Sequence, residues 1–106
     1  MSGGADARGP APYKRTPVFD QDSLPAALRS RHSTKPGVWG IVRVFQGEVR
    51  FVTEAPATEE VLTPERCGLI LPEQIHFVRP VGEVRMGVEF YRERPLPPFA
   101  NIGAEP

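Results

Sequence analysis

Cysteine, charge of one sign and long apolar runs are all scarce in this sequence. Cys67 is the only cysteine among 106 residues, so an internal disulfide is excluded, which fits a reducing compartment. Thirteen Lys and Arg residues balance thirteen Asp and Glu residues, and no basic run exceeds two residues, which argues against nucleic-acid binding. No apolar run is long enough to span a bilayer, and the N-terminus lacks the apolar core of a secretory signal. These absences favour a cytoplasmic protein without nucleic-acid or membrane partners.

Proline, glycine and alanine are plentiful at the two ends of the chain. Residues 1–12 have no apolar periodicity and are predicted to form a disordered tail, and residues 95–106 are predicted to form a second, Pro-rich tail. Residues 13–94 then make a single domain. A domain of about 80 residues has only modest stability, so a homodimer is expected.

Short runs with period-two alternation dominate this central part. Turn signals separate them roughly every eight to twelve residues, which is typical of an antiparallel sandwich or barrel. The one helical signal, at Ser23–Arg29, predicts one or two turns at most. The fold class is therefore predicted to be all-β.

A first hairpin is predicted around Gln46-Gly47. This pair flanks two alternating runs, residues 38–45 and 48–53, and it places a glycine where a tight turn needs a positive φ. Counting outward from the turn pairs Val44 with Val49 on an apolar face.

A second predicted hairpin organises the rest of the chain. It joins residues 75–79 to residues 84–88 through a four-residue Pro-Val-Gly-Glu loop. Its register gives one wholly apolar face. The other face carries His76, with Gly87 opposite and Glu89 diagonal to it, so it predicts a polar pocket with space between a histidine and a carboxylate.

Two segments resemble a known family. They are HSTKPGVWG at residues 32–40, leading to Gly47, and LPEQIHF at residues 71–77, followed by VEFY at residues 88–91. Together they resemble the TehB/YeaR-like domain, a cupin-like family associated with tellurite resistance, over residues 13–92. The resemblance implies a double-stranded β-helix, the cupin jelly-roll barrel, often dimeric and often holding a metal.

The match to the cupin motifs is incomplete. Gly47 fits the glycine that closes the first motif, but the paired histidines of that motif are absent. His76 fits the histidine that ends the second motif, with Glu73 where a glycine is usual. In family members that carry a methyltransferase, the resemblance implies that this chemistry belongs to a separate C-terminal domain. Here no Gly-rich loop follows a strand and opens a helix.

Two histidines and a carboxylate are the candidate metal ligands. His32, His76 and Glu89 would form a set that binds Fe(II) or Zn(II) and leaves open positions for water or substrate. Glu73 is the competing carboxylate. The pocket around the metal is predicted to include three further residues: Tyr91, Gly87 and Trp39.

Each candidate also has a structural interpretation. His76 could be a core histidine bonded to a backbone carbonyl, and His32 could belong to a solvated charged segment. Glu89 could form an ion pair with Arg85 or Arg43. The sequence leaves these alternatives open.

Two functions follow from these patterns. The first is a small cupin-like metal-binding protein that acts on or senses a small molecule, with a link to tellurite or other oxyanion stress. The alternative is a non-catalytic stress-response or interaction module without a bound metal. No nucleophile–base arrangement is visible, so whether the chain is an enzyme is left undecided.

Overall fold

The computed structural model describes residues 10–96, and nearly all of their regular structure is β-strand. The elements are, in chain order: β1 (Lys14–Arg15), β2 (Phe19–Asp20), a 3-10 helix (Ala26–Arg29), β3 (Trp39–Thr53), β4 (Thr58–Leu62), β5 (Gly68–Ile70) and β6 (His76–Tyr91). The all-β class is confirmed, and the helical signal corresponds to a single 3-10 turn. The predicted tails fall largely outside the described residues and stay predictions.

Two long strands form the centre of a six-stranded sheet. β3 has 15 residues and β6 has 16, and they pair antiparallel from Trp39 opposite Tyr91 to Thr53 opposite His76. The short strands flank this pair: β1 and β2 lie against β6, while β4 and β5 lie against β3. The jelly-roll barrel stays a prediction. None of the described helices has the length and apolarity needed to cross a membrane.

The first predicted hairpin is wrong. β3 continues through Gln46-Gly47, and Val49 pairs with Pro80 rather than with Val44. Gly47 has φ +84°, and a Cβ at this position would collide with the backbone oxygen of Glu83. The register of β3 against β6 shifts here. A positive-φ glycine suits a β-bulge as well as a hairpin turn, and this one lies in a bulge.

The second predicted hairpin is also wrong. β6 continues through the supposed loop, so its two halves pair with β3 and not with each other. Opposite the bulge, residues 82–84 of β6 face the single residue Gly47 of β3. Gly82, at φ +74°, accommodates the extra length. The loop signal marks an irregularity within one strand.

One face of the sheet carries the hydrophobic core. The bulge inverts the alternation of β3. Even-numbered residues face the core before the bulge, and odd-numbered residues face the core after the bulge. β6 keeps even-numbered residues on this face throughout. The sheet residues of the core are Val42, Val44, Val49, Phe51, Leu62, Ile70, Val78, Val84, Met86 and Val88.

Candidate ligand-binding cavity

A cavity of about 270 Å³ opens beside the core, between the sheet, β1 and the loop that precedes β3. Its apolar lining comes mainly from the sheet: Leu28, Val38, Val42, Ile70, Val78, Val88 and Phe90. Its polar lining comes mainly from β1 and the loop: Tyr13, Lys14, His32, Ser33, Thr34, Lys35 and His76. An apolar floor with a few polar groups is the usual character of a small-molecule site.

Two similar turns lie at this cavity: the first contributes Lys35 and Val38 to the lining, and the second connects the lining residues Ile70 and His76. In Lys35–Val38 and in Leu71–Gln74, the last backbone N–H donates to the first carbonyl at 3.1 Å. Each turn has a proline at its second position and a positive φ at its third, +75° at Gly37 and +63° at Glu73. Proline followed by a positive φ defines a type II turn. Glu73 therefore occupies a backbone conformation that favours glycine.

The side chain of Thr34 joins the two turns. Its hydroxyl donates to the carbonyl of Val38 at 2.8 Å and accepts from the backbone N–H of Glu73 at 3.2 Å. One hydroxyl thus satisfies a backbone group in each turn. The loop before β3 and the corner before β6 are held together at the same point.

His32 and His76 lie side by side in the cavity wall. Their backbones form a two-hydrogen-bond bridge, with N–H to O=C distances of 3.1 and 2.8 Å, and their ring centroids are 4.1 Å apart. In each ring, Nδ1 donates to the carbonyl two residues earlier, at 2.9 Å to Ser30 and 2.8 Å to Gln74. A neutral imidazole that donates from Nδ1 accepts at Nε2. In each ring, Nε2 is therefore the nitrogen left for a further hydrogen bond.

His76 is almost fully buried, at 3% exposure. Burial, reinforced by the neighbouring His32, lowers the pKa of His76 to about 4 even though the hydrogen bond to Gln74 opposes the shift. The ring is neutral at neutral pH. The interpretation of His76 as a buried histidine bonded to a backbone carbonyl agrees with this geometry.

The opposite face of the sheet holds a polar cluster centred on Glu89. Its carboxylate accepts from Arg43 Nε at 2.9 Å, from the Tyr91 hydroxyl at 2.9 Å and from Arg15 Nε at 3.3 Å. Burial and the hydrogen bond to Glu89 raise the pKa of Tyr91 to about 12. Of the partners considered for Glu89, Arg43 is the one observed.

The predicted metal centre is wrong. Val88 faces the cavity, so the next residue, Glu89, points to the other side of the sheet and away from His76. Glu73 is exposed in its turn. Over residues 10–96, no three His, Cys, Asp or Glu side chains are grouped so that they could hold a metal ion. The Zn or Fe cofactor is not supported.

The other predicted pocket residues also lie off the cavity lining. Tyr91 bonds to Glu89, and Trp39 pairs with Tyr91 at the end of the sheet. At Gly87 a Cβ would come within 3.2 Å of the Thr16 hydroxyl, so this glycine permits close packing of a neighbouring segment. Of the site residues predicted from the sequence, only His32 and His76 line the cavity.

Sequence reasoning missed the two lysines and most of the apolar floor. Lys35 belongs to the Lys-Pro-Gly turn within the segment that resembles the family, and it directly follows residues 32–34, which also line the cavity. That clustering was the available signal. Lys14 comes from β1, and nothing in the local sequence shows that β1 lies beside this loop.

The fold and cavity define a small all-β domain with a pocket on the core side of its sheet. A family model, the TehB-like domain, matches residues 14–88. The chain belongs to the TehB-like domain family, as the resemblance predicted.

Curated relatives of the chain come from Haemophilus influenzae. A protein named as a probable S-adenosyl-L-methionine-dependent methyltransferase TehB, from strain 10810, is 36% identical over 76 residues. The counterpart in strain Rd has the same identity over the same length. The match covers 67% of this chain and 27% of each relative, so the chain spans about a quarter of their length.

Two solved structures resemble this chain. The crystal structure of TehB from Haemophilus influenzae has a TM-score of 0.69 at 29% identity, covering 76% of this chain and 30% of that one. A protein from Escherichia coli K12 has a TM-score of 0.72 at 20% identity, covering 79% of this chain and 91% of that one. The second likeness shows the fold alone. In that protein, the fold makes up nearly the whole chain.

Both predicted functions are contradicted by these relatives. They are named as methyltransferases, and not as metal-binding cupins or as stress-response modules. The homodimer and the cytoplasmic location stay predictions.

Proposed function

We propose that this chain contributes the substrate-binding part of an S-adenosylmethionine-dependent methyl transfer. The observation that carries the proposal is the cavity, whose apolar floor and polar rim suit a small organic molecule. Its volume of about 270 Å³ lies just below the usual range of small-molecule pockets, about 300–1,000 Å³. The ligand is therefore a compact molecule.

The described residues do not fit S-adenosylmethionine itself. This cofactor joins a nucleoside to an amino acid, and the cavity lining contains no Asp or Glu to balance its cationic groups. Its sulfonium carries a fixed positive charge, which the two lysines in the lining would repel. Within residues 10–96, no Gly-rich loop opens a helix after a strand, and the helix present has only four residues. No step of methyl transfer is assigned to these residues.

The lengths of the relatives support this division of labour. The match covers only 27% of each methyltransferase relative, which leaves most of those proteins to bind the cofactor and perform the reaction. The matched part then has a separate task. Holding the methyl acceptor is the task that the cavity suits.

Retention of small molecules tests the proposal. The protein is incubated with a deproteinised cell extract, isolated by gel filtration and analysed for bound compounds by mass spectrometry. Val38→Trp is the matched variant, because Val38 lines the cavity but is only partly buried and lies outside the core cluster. We expect the wild-type protein to retain compounds that carry a methylatable oxygen, nitrogen or sulfur, and the variant to lose them.

Calorimetric titration with S-adenosylmethionine is the companion measurement, and we expect no binding. Retention of nothing by the wild-type protein, or equal retention by the folded Val38→Trp variant, would overturn the proposal. So would tight binding of S-adenosylmethionine that Val38→Trp abolishes.

A further inference from the structure

The charges that line the cavity are all of one sign. Its lining includes Lys14 and Lys35 but no Asp or Glu. Both lysines are exposed, whereas His76 is buried. The positive charges therefore lie at the solvent side of the cavity, and the histidine lies on its inner side.

These two lysines differ from many other cations of the domain. Five described arginines have a glutamate within ion-pair distance: Arg15, Arg31, Arg43, Arg50 and Arg66. Neither Lys14 nor Lys35 has such a partner among residues 10–96. The positive charge at the mouth of the cavity is thus available to attract an anion.

The inner side of the cavity offers hydrogen-bond acceptors. Nδ1 of both His32 and His76 is occupied by a backbone carbonyl. Nε2 of His76 has no hydrogen-bond partner among the described residues and is not fully buried, and His76 lines the cavity. An acceptor in a largely apolar site selects a ligand that donates a hydrogen bond, because an unmatched polar group there costs binding energy.

The space between these two ends is apolar. Val42, Val78 and Val88 supply a floor from the two central strands. A compact body, such as one six-membered ring with its substituents, suits a cavity at the small end of the usual range. A flat or compact ring buries its faces on such a floor.

We propose that the ligand is a ring-sized monoanion that carries a hydroxyl at the end opposite its carboxylate. The carboxylate lies between Lys14 and Lys35, the ring lies on the valine floor, and the hydroxyl donates to Nε2 of His76. Lysine binds an anion as a point charge, so the two lysines supply attraction for the carboxylate without the planar fork of an arginine. This assignment rests on the proposed function, because it names the class of molecule that the substrate-binding cavity takes.

Four matched probes test the assignment by NMR titration of the full chain. 4-Hydroxybenzoate has both groups, benzoate lacks the donor, 4-hydroxybenzamide lacks the charge and 4-hydroxybenzylamine reverses it. We expect 4-hydroxybenzoate to bind most tightly and to shift the amide signals of Lys14, Lys35, His76 and Val78. Benzoate and the amide are each expected to bind at least about fivefold more weakly, and the amine more weakly still.

A charge-removal variant separates attraction by the lysines from burial on the floor. In Lys14→Gln/Lys35→Gln, we expect about tenfold weaker binding of 4-hydroxybenzoate and no change for 4-hydroxybenzamide. Arg79→Gln is the control, because Arg79 is an exposed cation of β6 outside the cavity lining. It is expected to leave both affinities unchanged.

The outcomes distinguish the two proposals. If the amide or the amine binds in the cavity as tightly as 4-hydroxybenzoate, the assigned ligand class is wrong and the cavity remains a binding site. If benzoate binds as tightly, the role of the hydroxyl is wrong. If no probe shifts any cavity signal, the assignment fails, and retention of extract compounds decides separately whether the substrate-binding role fails with it.

Discussion

On the cavity face of the sheet, β6 buries a neutral imidazole at His76, whereas on the opposite face the same strand buries a carboxylate at Glu89 within a group of charged partners. Burial of an unpaired charge costs several kcal/mol, so each residue needs a way to avoid it. His76 stays unprotonated, while Glu89 pairs with Arg43 and accepts from Tyr91. The difference has a functional consequence. The uncharged imidazole of His76 leaves a hydrogen-bond acceptor available to a ligand, whereas the carboxylate of Glu89 is occupied by its partners.

The first prediction has the largest expected effect and concerns the buried ion pair of Glu89 with Arg43. Glu89→Gln removes the negative charge beside the guanidinium of Arg43, whose side chain is 4% exposed. We expect the free energy of unfolding to fall by about 3 kcal/mol or more, because a buried cation then loses its counter-charge. Denaturant unfolding monitored by circular dichroism measures it.

The control for this prediction is an ion pair of the same type on the surface. Arg31 and Glu54 form a bidentate pair whose side chains are 63% and 45% exposed. We expect Glu54→Gln to change the stability little, because solvent screens such pairs. Equal effects of the two substitutions would contradict the proposed difference between buried and exposed pairs.

The second prediction concerns the effect of acid on the stability that the buried, neutral His76 provides. The pKa of His76 is about 4 in the folded protein, below its ordinary 6.5, so the unfolded chain takes up this proton first as the pH falls. The stabilising contribution is therefore complete above about pH 6.5 and is lost between about pH 6.5 and pH 4. We expect a loss of roughly 3 kcal/mol over this window.

His76→Gln tests this assignment, because an amide can still donate to the carbonyl of Gln74 but does not titrate. Denaturant unfolding is measured for both proteins at several pH values within the window. We expect the wild-type protein to lose more stability on acidification than the variant does. Parallel pH profiles for the two proteins would show that His76 is not the group responsible.

The smallest expected effects concern the two type II turns beside the cavity, which differ in the residue at their third position. Gly37 and Glu73 both have a positive φ, and a Cβ at Gly37 would meet no atom within 4 Å. We therefore expect Gly37→Ala to lower the stability by about 1 kcal/mol and Glu73→Gly to raise it by up to about 1 kcal/mol. Thermal unfolding of both variants checks the opposite signs, and effects of the same sign would contradict the strain assigned to Glu73.

The alternation of the sequence predicted which segments are strands, but it did not predict what they pair with. His76 and Glu89 are an odd number of positions apart, so on one continuous strand they point to opposite faces. A hairpin between them would have reversed this relation. The Pro-Val-Gly-Glu segment looked like a hairpin loop because a strand irregularity and a turn both use a positive-φ glycine.

The candidate site was predictable only where motif and local geometry coincide. His32 and His76 lie in the two segments that resemble the family, and both line the cavity. Lys14 and Phe90 reach it through pairing of β1 with the end of β6, a contact across more than 70 positions of sequence. Such contacts depend on the whole sheet and leave no local pattern.

The hydroxyl of Thr34 fixes one side of the cavity before any molecule arrives. Because it bonds to a backbone group in each of the two turns, the loop that carries Lys35 and Val38 is tied to the corner before β6, and an incoming ligand has little of this loop to immobilise. Association then loses little conformational entropy. A rigid loop of this kind favours rapid ligand exchange and selection of ligands by shape. The affinity is then set by the residues further inside the cavity.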